Sequence, residues 1–170
     1  MSWTDFYRRR DALDTVIEHA RRNPEGDLPF AEVKDVFGTP EDLLLALHHK
    51  WIMKLTGQLG VALTEASQDP DVDLVDAVLA GWRATATEHP ALRRLLDAGM
   101  EQYAETMHPA IEGEQRLLAL AAGLAEPHDT PAEISRVGAT LLALLHNASE
   151  RPARRRSPVE QLLRRLVPSA

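Results

Sequence analysis

A repeated helix-start signal constrains the fold of this chain more than any other feature of its sequence. Ser or Thr precedes Pro, and an acidic residue stands two positions after that proline, in Thr39-Pro40-Glu41-Asp42, Thr130-Pro131-Ala132-Glu133 and Ser157-Pro158-Val159-Glu160. The hydroxyl can accept a hydrogen bond from a free N–H of the first turn, where the missing N–H of proline costs nothing. Each segment therefore predicts a helix start, and Pro90 and Pro109 predict two further breaks between helices.

Apolar residues recur at helical spacing between these breaks, and strand-like alternation is not sustained anywhere in the sequence. One such stripe consists of Leu74, Val75, Val78, Leu79 and Trp82. The predicted fold class is therefore all-α, with about eight helices. Their predicted ranges are 3–22, 29–36, 40–67, 72–88, 90–106, 109–125, 131–149 and 158–166.

The composition excludes several kinds of site and location. The 170 residues include no cysteine, which excludes a disulfide framework, a thiolate nucleophile and a Cys-based zinc site. No apolar run approaches the roughly 20 residues of a membrane span, and residues 1–10 lack the apolar stretch of a signal peptide. We therefore expect a cytoplasmic protein with no membrane partner and no cofactor.

Charge is distributed unevenly along the chain. Residues 1–55 carry 8 basic and 10 acidic side chains, residues 56–149 carry 5 and 14, and residues 150–170 carry 6 and 2. Proteins that grip DNA phosphates usually present a concentrated basic face. Only two short clusters fit that description, Arg8–Arg10 and Arg154–Arg156, and solvated charges near the ends of the chain are the simpler explanation of either cluster.

Residues 36–51 carry a resemblance to a known family. Their sequence begins Val-Phe-Gly-Thr-Pro-Glu-Asp-Leu-Leu-Leu-Ala-Leu and ends at Trp51. It resembles the segment that follows the helix-turn-helix of TetR-family transcriptional regulators, and the helix with Trp82 followed by His89-Pro90-Ala91-Leu92-Arg93 is similar to their C-terminal region. The resemblance implies a TetR-like helical bundle, with a helix-turn-helix-like part at 1–55 and a ligand-binding and dimerisation bundle at 56–170.

The segment before Phe37 is shorter than the family pattern. Family members place about twenty residues between the end of the first helix and this phenylalanine, enough for a second helix and a recognition helix. Here Phe37 lies eleven positions after Gly26, which holds only one short helix at 29–36. The resemblance therefore leaves DNA binding open: either DNA is bound by Arg8, Arg9, Arg10 and Lys34, or the protein has become a sensing protein that does not bind DNA.

Four large side chains are candidates for a ligand site. Trp82, Met100, Tyr103 and Met107 fall on neighbouring predicted helices, where they line an apolar cavity for a small ligand or simply pack in the core. The family resemblance implies that ligands bind in this region. Core packing by itself explains these residues, and the alternative that the resemblance supports is a small apolar ligand held by them.

The helix predicted at 131–149 combines a leucine stripe with small residues, which allow helices to approach closely. Members of the family resembled dimerise through their last two long helices, so we expect a homodimer. An ordinary buried helix gives a similar pattern. The residues predicted to form the interface are Ile134, Val137, Gly138, Leu141, Leu142 and Leu145.

Histidines and carboxylates give one alternative function. Glu101, Glu105 and His108 stand at i, i+4 and i+7 of a predicted helical face, and this spacing is compatible with a metal ion or with enzymatic chemistry. A di-iron site would need a second Glu-x-x-His, which the sequence lacks, so neither a metal nor a catalytic residue is predicted. His48 and His49 differ by about 100° around a helix, so one should face the core and the other solvent.

The leading prediction is therefore a TetR-like transcriptional regulator, or a ligand-sensing homodimer derived from one. The alternative is a helical metal-binding protein or enzyme that uses Glu101, Glu105 and His108.

Overall fold

The computed structural model describes residues 3–69 and 71–150, and within these ranges it contains α-helices and one 3-10 turn but no strand. This confirms the predicted all-α class. None of the described helices is long and apolar enough to cross a bilayer. The elements are α1 (Trp3–Arg22), a 3-10 turn (Phe30–Glu32), α2 (Pro40–Gln68), α3 (Leu74–Glu88), α4 (Pro90–Gln102), α5 (Ala104–Ala121) and α6 (Pro131–Glu150).

Two of the three predicted helix starts are observed. The Thr39 hydroxyl accepts a hydrogen bond from the backbone N–H of Asp42 at 3.1 Å and caps α2. At the start of α6 the Glu133 carboxylate accepts hydrogen bonds from both the N–H and the hydroxyl of Thr130, at 3.1 and 2.6 Å. The third predicted start, at Ser157, and the predicted helix at 158–166 lie outside the described residues.

The prediction of a helix at 29–36 is wrong. The structure has only a three-residue 3-10 turn there, and the N–H groups of Val33 and Val36 bond to carbonyls three residues earlier. Pro29 precedes the turn and provides no side-chain cap. A segment this short does not propagate an α-helix by itself, and its path is set instead by the burial of Val33 and Phe37 in the core.

The break predicted at Pro109 is also misplaced. α4 ends at Gln102, and the chain turns at Tyr103, whose φ of −122° and ψ of 44° are not helical. Pro109 lies within α5, in its second turn. Its ring removes one backbone hydrogen bond near the start of the helix, while Met107, fully buried just before it, fixes this turn against the core.

α5 ends at Ala121, four residues earlier than predicted. Gly123 adopts a φ of 66°, a left-handed conformation that side chains with a Cβ disfavour. The N–H of Gly123 bonds to the carbonyl of Leu120, and the N–H of Leu124 bonds to that of Ala119. This is a Schellman motif, which stops the helix and turns the chain towards α6.

α2 forms the centre of the bundle. It packs against α3, α4 and α5, while α1 packs mainly on α4, and α6 pairs with α5. One continuous core includes Val16 of α1, Trp51 of α2 and Leu145 of α6. The boundary predicted between residues 55 and 56 falls within α2, and this core extends to both sides of it.

Gly138 sets the distance between α5 and α6. A Cβ placed on Gly138 would lie 2.7 Å from the Cα of Gln115 on α5, and the carbonyl group of Gln115 would be closer still. The obstacle is backbone and cannot rotate away. The absence of a side chain at Gly138 therefore allows α5 and α6 of the same chain to approach this closely.

We predict that Gly138→Ala lowers the free energy of unfolding by about 1–3 kcal/mol, because the added methyl forces α5 and α6 apart. Gly57→Ala is the matched control, since a Cβ there meets nothing within 4 Å. Alanine favours a helix over glycine by about 1 kcal/mol, so the control should be stabilised. Urea unfolding followed by circular dichroism measures both changes, and equal effects of the two substitutions would contradict this account.

Candidate functional site

A carboxylate lies buried where four helices meet. Glu114 of α5 is only 3% exposed. Its Oε1 accepts a hydrogen bond from the indole Nε1 of Trp82 at 3.0 Å and lies 3.8 Å from Nη1 of Arg93. Its Oε2 lies 3.3 Å from Nε2 of His48. We call these four residues and Trp51 the Glu114 cluster, and they belong to α2, α3, α4 and α5.

Arg93 brings a positive charge to the two indole rings of this cluster. Its guanidinium carbon lies 5.0 Å from the ring centroid of Trp51 and 5.8 Å from that of Trp82. The two indoles meet edge to face, with centroids 5.8 Å apart. Asp97, one turn further along α4, binds the same guanidinium at 2.7 Å. The arginine is therefore held by two carboxylates and two aromatic rings.

The cluster keeps Glu114 ionised despite its burial. Burial by itself raises the pKa of this carboxyl group, but the hydrogen bond from His48 and the charge of Arg93 lower it, and so does the N–H of Trp82. The net result is a pKa below the ordinary value. The indole N–H of Trp51 also lowers this pKa, although it has no hydrogen-bond partner among the described residues.

The sequence indicated part of this cluster. One of the adjacent histidines was predicted to face the core, and His48 is buried while His49 is exposed, which confirms that prediction. The roles of Glu114 and Arg93 were missed. A signal was present, because Glu114 stands between Ile111 and Leu118 at helical spacing and interrupts an apolar stripe.

A small cavity lies between the end of α1 and α4, and we call it the α1–α4 cavity. Its volume is about 130 Å³. Its lining combines apolar residues of the loop, α2 and α4 with charged and polar ones. The lining includes Asp27, Leu28, Leu44, Arg94, Leu95, Ala98, Gly99, Gln102 and Tyr103.

Arg94 links this cavity to the end of α1. Its Nη2 donates a hydrogen bond to the carbonyl oxygen of Ala20 at 3.0 Å, and its Nη1 donates to that of Pro24 at 3.4 Å. A cation at the C-terminal end of a helix satisfies carbonyls that have no partner within the helix and opposes the helix dipole. Arg94 thus joins the N-terminal helix to the bundle.

The structure separates the four predicted ligand residues. Trp82 belongs to the Glu114 cluster, and the sulfur of Met100 lies 3.7 Å from Nη2 of Arg93. Met107 is fully buried in the core. Tyr103 alone among the four lines the α1–α4 cavity. The predicted set therefore does not surround one cavity, because the turn at residue 103 directs neighbouring side chains to different places.

The predicted DNA-binding residues lie on the outside of the N-terminal part. Arg8 pairs with an aspartate that follows the 3-10 turn, at 3.7 Å. The guanidinium of Arg9 lies 4.7 Å from the ring centroid of Phe37, and that of Arg10 lies 4.9 Å from the ring of a tyrosine three residues earlier. Lys34 is exposed. Three of these four cations therefore already have contacts within the chain.

The predicted carboxylate and histidine face does not form. Glu101 belongs to α4 and Glu105 to α5, so the turn at residue 103 separates them. The Nδ1 atom of His108 lies 3.9 Å from the carboxylate of Glu112. Across the described residues, no three His, Asp or Glu side chains are grouped so that they could hold a metal ion. One continuous face, which the spacing alone would allow, needs an unbroken helix, and the turn at residue 103 interrupts it.

The residues predicted to form a dimer interface face mostly inward. Ile134, Gly138, Leu141 and Leu145 are buried within the single chain, whereas Val137 and Leu142 are half-buried. The outer side of α6 presents Leu144, which is 55% exposed.

No family model, curated protein or solved structure matches this chain. The similarity of residues 36–51 to TetR-family regulators therefore stays a prediction, and any functional assignment depends on the chain's own residues.

We predict that the ionised Glu114 carboxylate stabilises the fold near neutral pH and that this contribution is lost in acid. Its folded pKa lies below the unfolded value near 4.5, so its contribution is present above that pH and disappears as the pH falls through the folded pKa. Glu114→Gln should lower the free energy of unfolding by about 3 kcal/mol near neutral pH, because Arg93 loses its buried partner. The difference between the variant and the wild type should shrink below about pH 4.

Denaturant unfolding at several pH values measures this difference. Glu105→Gln, an exposed carboxylate on the same helix, is the control and should leave the stability nearly unchanged. An identical pH dependence in the wild type and Glu114→Gln would show that Glu114 does not contribute in this way.

Proposed function

We propose that this chain is a TetR-like helical regulator that senses a small ligand in the α1–α4 cavity and does not read DNA through a recognition helix. The observation that carries the proposal is the position of the cavity. It lies where the N-terminal helix and its following loop meet α2 and α4, and its lining includes Arg94, which bonds to the end of α1.

The segment between α1 and α2 argues against DNA reading. A recognition helix must lie in the major groove so that its side chains reach base edges. Among the described residues, the only helical element between residues 23 and 39 is the three-residue 3-10 turn, which is about 6 Å long. The first 55 residues also carry more acidic than basic side chains, which weakens attraction to phosphates.

The α1–α4 cavity offers a physical route from ligand binding to a change in the N-terminal part. Its volume of about 130 Å³ is close to that of cavities that hold benzene, roughly 150 Å³. A ligand that draws the guanidinium of Arg94 towards itself weakens the hydrogen bonds to Ala20 and Pro24. The ligand then favours a different position for the end of α1, which is the differential binding that a sensor requires.

A homodimer is the second part of the proposal. It rests on the resemblance and on the pairing of α5 with α6. The buried faces of these two helices already pack within the chain, so a second copy cannot use them. The available face is the outer one, around Leu144.

We expect no specific complex with DNA from the region upstream of the protein's own gene. Fluorescence anisotropy at about 50 mM salt, where phosphate contacts are strongest, measures this. An unrelated DNA of the same length is the control. Specific binding that weakens when Arg8 and Arg10 are replaced by Ala would contradict the proposal and restore the DNA-binding interpretation.

We expect sedimentation velocity to detect a dimer at micromolar concentrations and Leu144→Glu to shift it to monomer, because an acidic side chain would be buried unpaired at the interface. Leu45→Glu is the control, since Leu45 is similarly exposed on another helix. A wild-type monomer at all concentrations would exclude the dimer but leave the ligand-sensing proposal intact.

A further inference from the structure

We infer that the α1–α4 cavity binds a small zwitterion with an apolar body, of the α-amino acid class. This inference rests on the proposed function, because it concerns the same cavity. The juxtaposition that carries it is a cation and an anion, Arg94 and Asp27, on the walls of a cavity that is also lined by leucines.

Arg94 has donors to spare. A guanidinium carries five N–H groups, and the contacts of Arg94 within the described residues are hydrogen bonds to the two carbonyl oxygens of Ala20 and Pro24. No carboxylate among the described residues lies within 4.0 Å of the Arg94 guanidinium. Among the described residues no carboxylate therefore neutralises its charge, and a ligand carboxylate would provide the planar acceptor that a guanidinium binds best.

Asp27 provides the opposite charge. It is exposed at the end of the loop that follows α1, and no ion pair within residues 3–69 and 71–145 involves it. Asp27 and Arg94 do not pair with each other, although both line the cavity. A carboxylate alone would be repelled by Asp27 and an amine alone by Arg94. A ligand that carries both charges satisfies both residues.

The apolar part of the lining limits the size of the ligand. Leu28, Leu44 and Leu95 form this surface. A Cβ on Gly99 would lie 2.9 Å from Cδ1 of Leu44, so the glycine allows Leu44 to occupy this position. The volume of about 130 Å³ equals about four water molecules at roughly 30 Å³ each, well below the 300–1,000 Å³ of drug-sized sites. It suits an amino acid with a side chain of a few carbons.

Polar groups of α4 and the following turn complete the site. Gln102 and Tyr103 line the cavity and offer neutral hydrogen-bonding groups. They provide partners for the carboxylate oxygen that the guanidinium does not bind. The arrangement thus has two charged anchors, neutral donors and an apolar surface, which are the elements of small-molecule recognition.

The test is titration calorimetry on the whole protein with L-alanine, L-valine and L-leucine as probes. For valine, isovalerate lacks the amine and isobutylamine lacks the carboxylate, so these are matched single-charge analogues. We expect at least one amino acid to bind, and we expect the two valine analogues to bind about tenfold more weakly than valine or not at all, because each analogue loses its hydrogen bonds to one of the two charged side chains. Binding of an analogue as tight as that of its parent would overturn the inference.

Variants locate the site. Arg94→Gln and Asp27→Asn should each weaken binding about tenfold or more. Arg83→Gln removes an exposed arginine from α3 and should leave affinity unchanged. Because Arg94→Gln also loosens the end of α1, Ala98→Leu is the second variant: it fills space in the cavity without removing a charge, and it should also abolish binding. Affinity unaffected by Ala98→Leu would overturn the inference.

The outcomes distinguish this inference from the proposed function. One outcome is that no amino acid binds, that isovalerate or isobutylamine does bind, and that Ala98→Leu abolishes binding of that analogue. In that case the zwitterion inference fails, but the proposal of a ligand-sensing cavity stands. If none of the probes binds the wild-type protein, the zwitterion inference fails. The sensing proposal then requires that uncharged compounds of benzene size bind the cavity in the same titration, and it fails too if they do not.

Discussion

The ionised carboxylate of Glu114 is the interaction on which the bundle depends. Taking a carboxylate out of water costs several kcal/mol, and only good partners offset that cost. Its partners come from three other helices: His48 of α2, Trp82 of α3 and Arg93 of α4. Displacement of any one of these helices removes a hydrogen-bond or charge partner from the buried carboxylate. The cluster therefore favours one arrangement of α2 to α5 more strictly than leucine contacts would.

The N-terminal part is attached in a different way. Its polar contacts with the bundle are partly exposed: Lys50 binds Asp14 at 2.6 Å, and Arg94 binds the carbonyls at the end of α1. Exposed ion pairs contribute little, because water competes for them. The polar contacts of α1 are thus weaker than those around Glu114, although its apolar side, with Val16, packs in the common core. The weaker polar contacts of α1 lie beside the α1–α4 cavity, where the proposed ligand would bind.

Local sequence signals predicted the elements that depend on neighbouring residues. The caps at Thr39 and Thr130 form within four residues, so their chemistry is complete in the sequence. Pro109 shows the limit of such signals. A proline can end a helix or stand near its start, and burial of Met107 decided that it lies inside α5 while the turn falls at Tyr103. This turn also separated Glu101 from Glu105, which a continuous helix would have aligned.

The sequence by itself determined that this chain is helical, where several helices begin, and that one of two adjacent histidines faces the core. These follow from hydrogen bonds and periodicity over a few residues. Only the tertiary structure decided which groups meet. Glu114 and His48 are 66 positions apart, and Arg94 and Ala20 are 74 apart. Gly138 was predicted to contact a second subunit, but it approaches α5 of its own chain. Contacts over such separations depend on how helices pack together, which no local pattern specifies.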